Sequence, residues 1–367
     1  MNFRTELKSC VKSNFYRHYG EENHDKNRFG PYKPKKSDAL TSSTRWVKKI
    51  VGYKSSTLAD MQIERMEPYM TKLQQLWVLL NTTGKRNLVQ LIAYRLLGKH
   101  RVKLFTNNPS YHNALKAASA LRKGDEEIDT KFFNFILNRF DLSSAGYPIE
   151  LYFREPGVAS DFLIEQYAYK EEGKTIVEAK AGDVVLDLGG CYGDTALYFA
   201  HKAGPTGKVY VFEFIPNNLI ILRKNLALNP SLENRINIVE QPVSNSSDVH
   251  VYYRDNGPGS QVASEPFESQ TGMATTITID DFVERNGIEK VDFIKMDIEG
   301  SEPNALKGAE KTIRRCKPTL AIAIYHSMED FVNIPEWIAA LQLPYEYYLG
   351  HYTIHAEETV FFAKPKV

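Results

Sequence analysis

Asp187 closes an apolar run, Val184-Val185-Leu186-Asp187-Leu188, that passes directly into Gly189-Gly190-Cys191-Tyr192-Gly193-Asp194. A short apolar run closed by glycines reads as a buried parallel strand, and Thr195 to Lys202, apolar at Ala196, Leu197, Phe199 and Ala200, reads as a helix. Strand, tight turn and helix together form the unit that holds a nucleotide at a helix N-terminus. A pyrophosphate needs G-x-G-x-x-G there; the corresponding positions are Gly189, Cys191 and Asp194, so only the first glycine is present. Asp194 also puts a carboxylate where it favours the helix dipole but repels a phosphate. The turn therefore suits a phosphate-free cofactor carrying an ammonium and a sulfonium, S-adenosylmethionine (SAM). Gly189, Gly190, Cys191, Gly193 and Asp194 would cradle it, and Asp187 would serve its cationic end directly or through water.

A second apolar run, Lys208 to Glu213, ends in an acid where such folds bind a ribose diol. Glu213 is the expected ribose ligand, with Phe214 beside it. NAD enzymes share this acid, so it supports a nucleoside without choosing between cofactors. Beyond the third expected strand, Gln241 is the candidate for the adenine amino group, ahead of Ser244, Asn245 and Ser246. Methyl transfer from a sulfonium is an in-line displacement, so the acceptor oxygen must be held behind the methyl group and, for an alcohol, lose its proton. Asp297 and Glu299, at the end of the fourth expected strand, can bind an acceptor hydroxyl or hold a divalent cation through oxygen ligands. The plainer alternative is that Asp297 caps the next helix and Glu299 sits in solvent. His326 follows the next strand, and its ordinary pKa of about 6.5 makes it the first candidate for general base, with a substrate contact or a structural hydrogen-bonding role as the alternatives.

The chain has 367 residues, 43% hydrophobic and 25% charged, enough for a large core and two domains. No stretch reaches the length of a membrane span and Met1 to Gly20 has no apolar signal region, so a cytoplasmic location is expected. Cys10, Cys191 and Cys316 have no metal-ligand spacing; Cys191 reads as a packing residue within the turn. Residues 1–54 hold 13 Lys and Arg against 5 Asp and Glu, so this segment is basic and the remainder net acidic. No nucleic-acid motif accompanies the charge, so no nucleic-acid partner is expected.

These groups need elements to position them. A basic segment is expected over 1–55, a mainly helical accessory region over 56–175 and the catalytic domain over 176–367. In the second region Leu58 to Leu80 recur at helical steps with a break at Pro68, and the pattern resumes at Leu88 to Leu97. Short β-like pieces are expected at Arg101 to Phe105 and Ile149 to Phe153, with helices at Tyr111 to Leu121 and Lys131 to Arg139. Nothing in this region has catalytic spacing; it is expected to cap the acceptor site or mediate self-association, Tyr147, Tyr152 and Phe153 being available to stack on a sugar. From Val184 strands and helices alternate as in an α/β sheet. Strands are expected at 184–188, 209–213, 236–240, 291–296, 319–325, 345–349 and 359–363. The last two are too close for a crossover helix and should form an antiparallel hairpin, with His351 and His355 in the intervening loop. Asp255 to Gln261 is expected to be a lid, an acceptor loop or a surface excursion.

Val291-Asp292-Phe293-Ile294-Lys295-Met296-Asp297-Ile298-Glu299-Gly300-Ser301-Glu302, followed by Ala305-Leu306-Lys307-Gly308, resembles the D-x-E-G-x-E segment of FkbM-type methyltransferases. The resemblance spans roughly Gly182 to Pro365 and takes in Lys208 to Glu213, Leu222-Arg223-Lys224-Asn225, Asn229 and Glu358-Thr359-Val360-Phe361-Phe362. It implies a class I, Rossmann-like methyltransferase fold and O-methyl transfer to a hydroxyl of a sugar, glycan or related metabolite. Two other classes stay open. A nicotinamide dehydrogenase is disfavoured by the missing glycines and by Asp194. A non-catalytic glycan- or partner-binding protein is disfavoured because Asp187, Glu213, Asp297 and Glu299 are all present.

Overall fold

The computed structural model describes residues 2–33, 55–132 and 135–366. Most of the Pro- and Lys-rich stretch, from Pro34 to Lys54, lies outside the described residues. The chain divides into two compact units, Met1–His112 with Tyr347–Thr359, and Asn113–Glu346 with Val360–Val367.

The first unit is helical, with helices Phe3–Asn14, Ser55–Glu64, Met70–Leu79 and Thr82–Leu97. Their starts are chemically marked. The Asn2 side chain accepts from Thr5 N–H, and Asn81 Oδ1 accepts from Gly84 N–H at 2.8 Å. Pro68 lies in the short turn Glu67–Tyr69 that separates two of the helices, as expected. Phe3, Leu7, Val11, Leu73, Leu76, Leu88 and Ile92 form the core. Arg101 to Phe105 is a loop, not a strand: the Gln90 side chain accepts from Phe105 N–H at 2.8 Å and donates to Lys103 C=O at 3.1 Å, replacing a neighbouring strand. His351 ends a strand and is buried, as is His355.

A seven-stranded sheet, most of which falls in the second unit, has strands β1 (Val184–Leu188), β2 (Lys208–Phe212), β3 (Ile236–Val239), β4 (Phe293–Met296), β5 (Thr319–Ala323), β6 (Tyr345–His351) and β7 (Thr359–Pro365), with Tyr347–His351 and Thr359 counted in the first unit. Their order is 3-2-1-4-5-7-6. Strands 3, 2, 1, 4 and 5 pair in parallel, and β7 pairs with β5 antiparallel, Ala321 opposite Phe362. Both faces of the central strands are covered, which is why β1 and β4 read as unbroken apolar runs rather than alternating ones. Helices α1 (Asp194–Ala203) and α2 (Pro216–Ala227) follow β1 and β2.

Three small sheets were not read from the sequence; one is the two-stranded pair Tyr169–Glu171 and Lys174–Val177. Arg122–Asp129, Ile136–Asp141 and Glu150–Phe153 form an antiparallel sheet, so the helix expected over Lys131 to Arg139 is replaced by a strand. Its apolar residues fit a helical step, but partners on both sides and the cross-strand pairs Arg139–Glu126 and Arg139–Glu150 select the strand. His250–Arg254 pairs with Gln261–Ala263 and Gly272–Thr275 within the connection from β3 to β4. Asp255 to Gln261 is the turn of that hairpin, and Asp255 Oδ2 accepts from Asn217 Nδ2 at 2.7 Å at the start of α2. Among the described residues no helix is long and apolar enough to cross a membrane.

Candidate active site

The glycine turn is shaped first by packing. A Cβ on Gly189, whose φ is +86°, would lie 2.0 Å from the Asp297 carbonyl oxygen, and one on Gly190 would lie 2.0 Å from Val211 Cγ2. Both amides donate to Phe212 C=O at 3.0 Å, which ties the turn to the end of β2. Cys191 adopts φ +42°, and burial pushes its thiol well above the ordinary range, which suits the packing role expected of it.

Asp187 has partners of its own within the protein. Its carboxylate is fully buried, accepts from Thr195 Oγ1 at 2.7 Å and lies 3.1 Å from the Lys295 ammonium. Lys295 also donates to Gly189 C=O at 2.7 Å and Leu188 C=O at 3.2 Å. A buried charge needs a partner, and Lys295 supplies Asp187 with a cation inside the protein. Lys295 was missed in the sequence because one lysine in an apolar strand has no spacing to flag it.

Glu213 closes β2 with its carboxylate turned onto the start of α2. Oε1 accepts from Phe214 N–H at 2.7 Å and Ile215 N–H at 2.8 Å, and Oε2 accepts from Asn218 Nδ2 at 3.1 Å. Burial outweighs these donors and pushes its carboxyl up to about 7. Phe214 and Gln241 line a cavity of about 560 Å³ with Ile220, Arg223, Tyr253 and Met273, and Phe214 meets the Tyr253 ring edge-on at 5.4 Å. Burial likewise raises Asp194, the first residue of α1, to about 6, against a hydrogen bond from Asp161 and the field of Lys295. Oδ1 of Asp194 and Oδ1 of Asn218 are buried without a hydrogen-bond partner. Acids with spare acceptor atoms, beside a lysine already engaged, suit a cationic nucleoside and would repel a pyrophosphate. The residues present thus fit S-adenosylmethionine.

The second cluster forms beyond β4 and β5. Asp297 accepts from Tyr167 Oη at 2.9 Å through Oδ2 and from Tyr325 Oη at 3.1 Å through Oδ1. His326 Nε2 lies 3.2 Å from Asp297 Oδ1 and 3.1 Å from Glu302 Oε1, off-axis for a hydrogen bond to either, so the contact is ionic. Burial works against the imidazolium, but the two carboxylates outweigh it and hold His326 up to about 11. Burial would raise Asp297; His326 and Lys295 overcome it and keep the carboxyl below its usual range. Glu302 is fully buried, and its Oε1 accepts from Ile298 N–H at 2.7 Å. Glu299 sits apart, its side chain 53% exposed and 3.8 Å from His326 Nδ1. Among the described residues the group with ligand atoms close enough to share a cation is Asp297, Glu302 and His326, within 4.8 Å of one another. The expected pair of Asp297 and Glu299 is therefore not the pair brought together. Glu302 takes the second position, because the turn through Glu299 (φ +55°) and Gly300 (φ +91°) directs Glu299 outward.

Asp161 lies within the π-type helical turn Ala159–Ile164 and Tyr167 just beyond it, in the region where no catalytic residue was expected. The aromatic residues expected to stack on a sugar are otherwise engaged. Tyr152 is buried under the Lys224 ammonium, 4.2 Å from its ring centroid, and Tyr147 donates to Glu165 at 2.8 Å and packs on Phe162.

The 3-2-1-4-5-7-6 sheet, with an acid-lined glycine turn at the end of β1, is the fold of class I methyltransferases. Residues 187–347 match the family described as the Methyltransferase FkbM domain. A similar solved structure is the methyltransferase FkbM from Methylobacillus flagellatus KT, 17% identical with a TM-score of 0.52, over 82% of this chain and 60% of that one. The chain thus spans 60% of the length of that protein, and the likeness is one of fold. Aeropyrum pernix fibrillarin with bound S-adenosyl-L-methionine is 14% identical with a TM-score of 0.35, over 63% of this chain and 90% of that one. A SAM-dependent methyltransferase from Aquifex aeolicus is 15% identical with a TM-score of 0.31, over 51% of this chain and 82% of that one. No curated protein sequence matches the chain.

Proposed function

We propose that the protein is a SAM-dependent O-methyltransferase that moves a methyl group to a hydroxyl of a sugar, glycan or related small metabolite. The observation that carries this reading is the Asp297 carboxylate, oriented by two tyrosine hydroxyls and kept ionised beside a turn lined with acids. S-adenosylmethionine supplies a sulfonium-borne methyl group for in-line displacement. In this reading Glu213 and Asn218 take the ribose hydroxyls, Phe214 and Gln241 face the adenine, and Gly189, Gly190, Cys191 and Gly193 let the backbone approach the nucleoside.

Asp297, rather than His326, accepts the hydrogen of the acceptor hydroxyl. An imidazolium has no lone pair to offer, and His326 is cationic at neutral pH. In that state it fills the space between Asp297 and Glu302 and keeps both carboxylates in place. A carboxylate held in the low range is a weak base, so its contribution is to align the acceptor oxygen behind the methyl group. The sugar-class acceptor is what the resemblance of the Asp297 to Glu302 segment to FkbM-type methyltransferases implies.

Titration calorimetry with S-adenosylhomocysteine, with NADH as control and a Glu213→Ala variant, tests the cofactor reading and opens the way to acceptor screening. S-adenosylhomocysteine binding that is lost in the variant is expected. Binding of NADH, or of neither ligand, would overturn it.

A further inference from the structure

We propose that the hairpin sheet inserted between β3 and β4 reads the cofactor's base, with Tyr253 as the wall on which the adenine stacks and Thr275 as the group that sets Gln241 to recognise its amino edge. The inference rests on the cofactor reading above and deepens it from the nucleoside to the base.

Tyr253 sits in the central strand, His250–Arg254, opposite Val262 on one neighbour and Gly272 on the other. Gly272 does not have the left-handed φ that calls for glycine. A Cβ there would instead lie 2.4 Å from Tyr253 Cζ, so the missing side chain is the space that the ring occupies. Laid across Gly272, the ring meets Phe214 at 5.4 Å with the two planes 86° apart. Two rings at right angles form a corner, in which a flat base stacks on one face and abuts the other ring. Both rings line the cavity of about 560 Å³ together with Gln241.

The hairpin is fixed to the acid that takes the ribose hydroxyls in that reading. Asp255 Oδ2 accepts from Asn217 N–H at 3.3 Å and from Asn217 Nδ2 at 2.7 Å. Gly257 C=O accepts from Asn218 Nδ2 at 3.5 Å, and the same Nδ2 donates to Glu213 Oε2 at 3.1 Å. The turn is thereby tied to the start of α2, and the sheet it closes becomes a wall of the site. The sheet also sets the neighbouring amide. Gln241 Nε2 donates to Thr275 C=O at 3.4 Å, which leaves Oε1 as the acceptor. Adenine presents a donor amino group at its sixth position and hypoxanthine an acceptor oxygen, so an amide held in this sense favours the first.

The test starts from protein deuterated everywhere except at tyrosine. With S-adenosylhomocysteine bound, saturation of the tyrosine rings should pass to adenine H2 and H8. Tyr253→Phe keeps the affinity and loses the transfer, because the new ring carries deuterium. Tyr253→Ala weakens S-adenosylhomocysteine about tenfold, and weakens S-inosylhomocysteine, which has hypoxanthine in place of adenine, by the same factor. The wild-type protein prefers the adenine ligand about tenfold, and Gln241→Leu removes that preference. Binding without transfer to H2 and H8 in the wild-type protein overturns the proposal and needs no variant, so poor folding of Tyr253→Ala does not shelter it. Unchanged affinity in Tyr253→Ala, or equal wild-type affinity for the two ligands, overturns it as well. Failure of S-adenosylhomocysteine to bind the wild-type protein instead overturns the cofactor reading, which separates the two.

Discussion

His326 shows how far a neighbourhood can move a side chain from its ordinary behaviour. The residue type suggests a base near neutrality, yet Asp297 and Glu302 make it a fixed cation. Its folded value lies above its ordinary 6.5, so the stability it contributes is fully present below about 6.5 and is lost as pH rises through about 11. His326→Asn leaves two facing carboxylates without their cation, and urea unfolding should show a loss of about 3 kcal/mol near neutrality that narrows steadily toward high pH. A gap that stays constant from about pH 6 to about pH 10 would mean that the imidazolium charge contributes nothing. Of the residues in this cluster, Asp297 and His326 were legible because each ends a strand at the sheet edge where ligands bind. Glu302 stood within the same motif but was passed over for Glu299, since only the path of the turn decides which acid points inward. Tyr167 was not legible: it lies 130 positions from the aspartate it bonds.

At the scale of elements, Asn225 links three pieces of backbone. Its Oδ1 accepts from Tyr152 N–H at 2.7 Å, and its Nδ2 donates to Tyr152 C=O at 3.0 Å and Tyr192 C=O at 2.8 Å. One amide on α2 thereby anchors the strand Glu150–Phe153 and the glycine turn together. Asn225→Ala leaves buried backbone groups without partners and should cost about 2 to 4 kcal/mol, checked by thermal or urea unfolding. A loss below about 0.5 kcal/mol would show that water replaces the amide. The β1–α1 unit and the other sheet strands were legible from apolar runs punctuated by glycine or acid, with ends displaced by a residue or two. The Arg122–Asp129 strand was not, because eight mostly exposed residues rich in charge have no buried face to impose a period.

For the whole molecule, two compact units each enclose their own core, so unfolding followed by different probes should resolve two transitions. Saturating S-adenosylhomocysteine at about a hundred times its dissociation constant should stabilise the transition of the second unit by about 2.7 kcal/mol and leave the other in place. Equal shifts in both would show that the chain unfolds as one cooperative body. The linear order of residues sufficed for the parallel sheet, the acid-bearing glycine turn, the terminal hairpin and the D-x-E-G-x-E segment, because each is local: apolar runs, turn formers and acids within a dozen positions of one another. What needed the folded chain was long-range pairing. Lys295 neutralises Asp187 from a neighbouring strand, Asp161 and Tyr167 reach the site from a segment with no motif, and Glu302 replaces Glu299 through the direction of one turn. Burial is the physical reason for the difference. It turns an ordinary lysine, aspartate or histidine into one whose charge is set by whichever partners the fold brings within about 3 Å, and no sequence period records those partners.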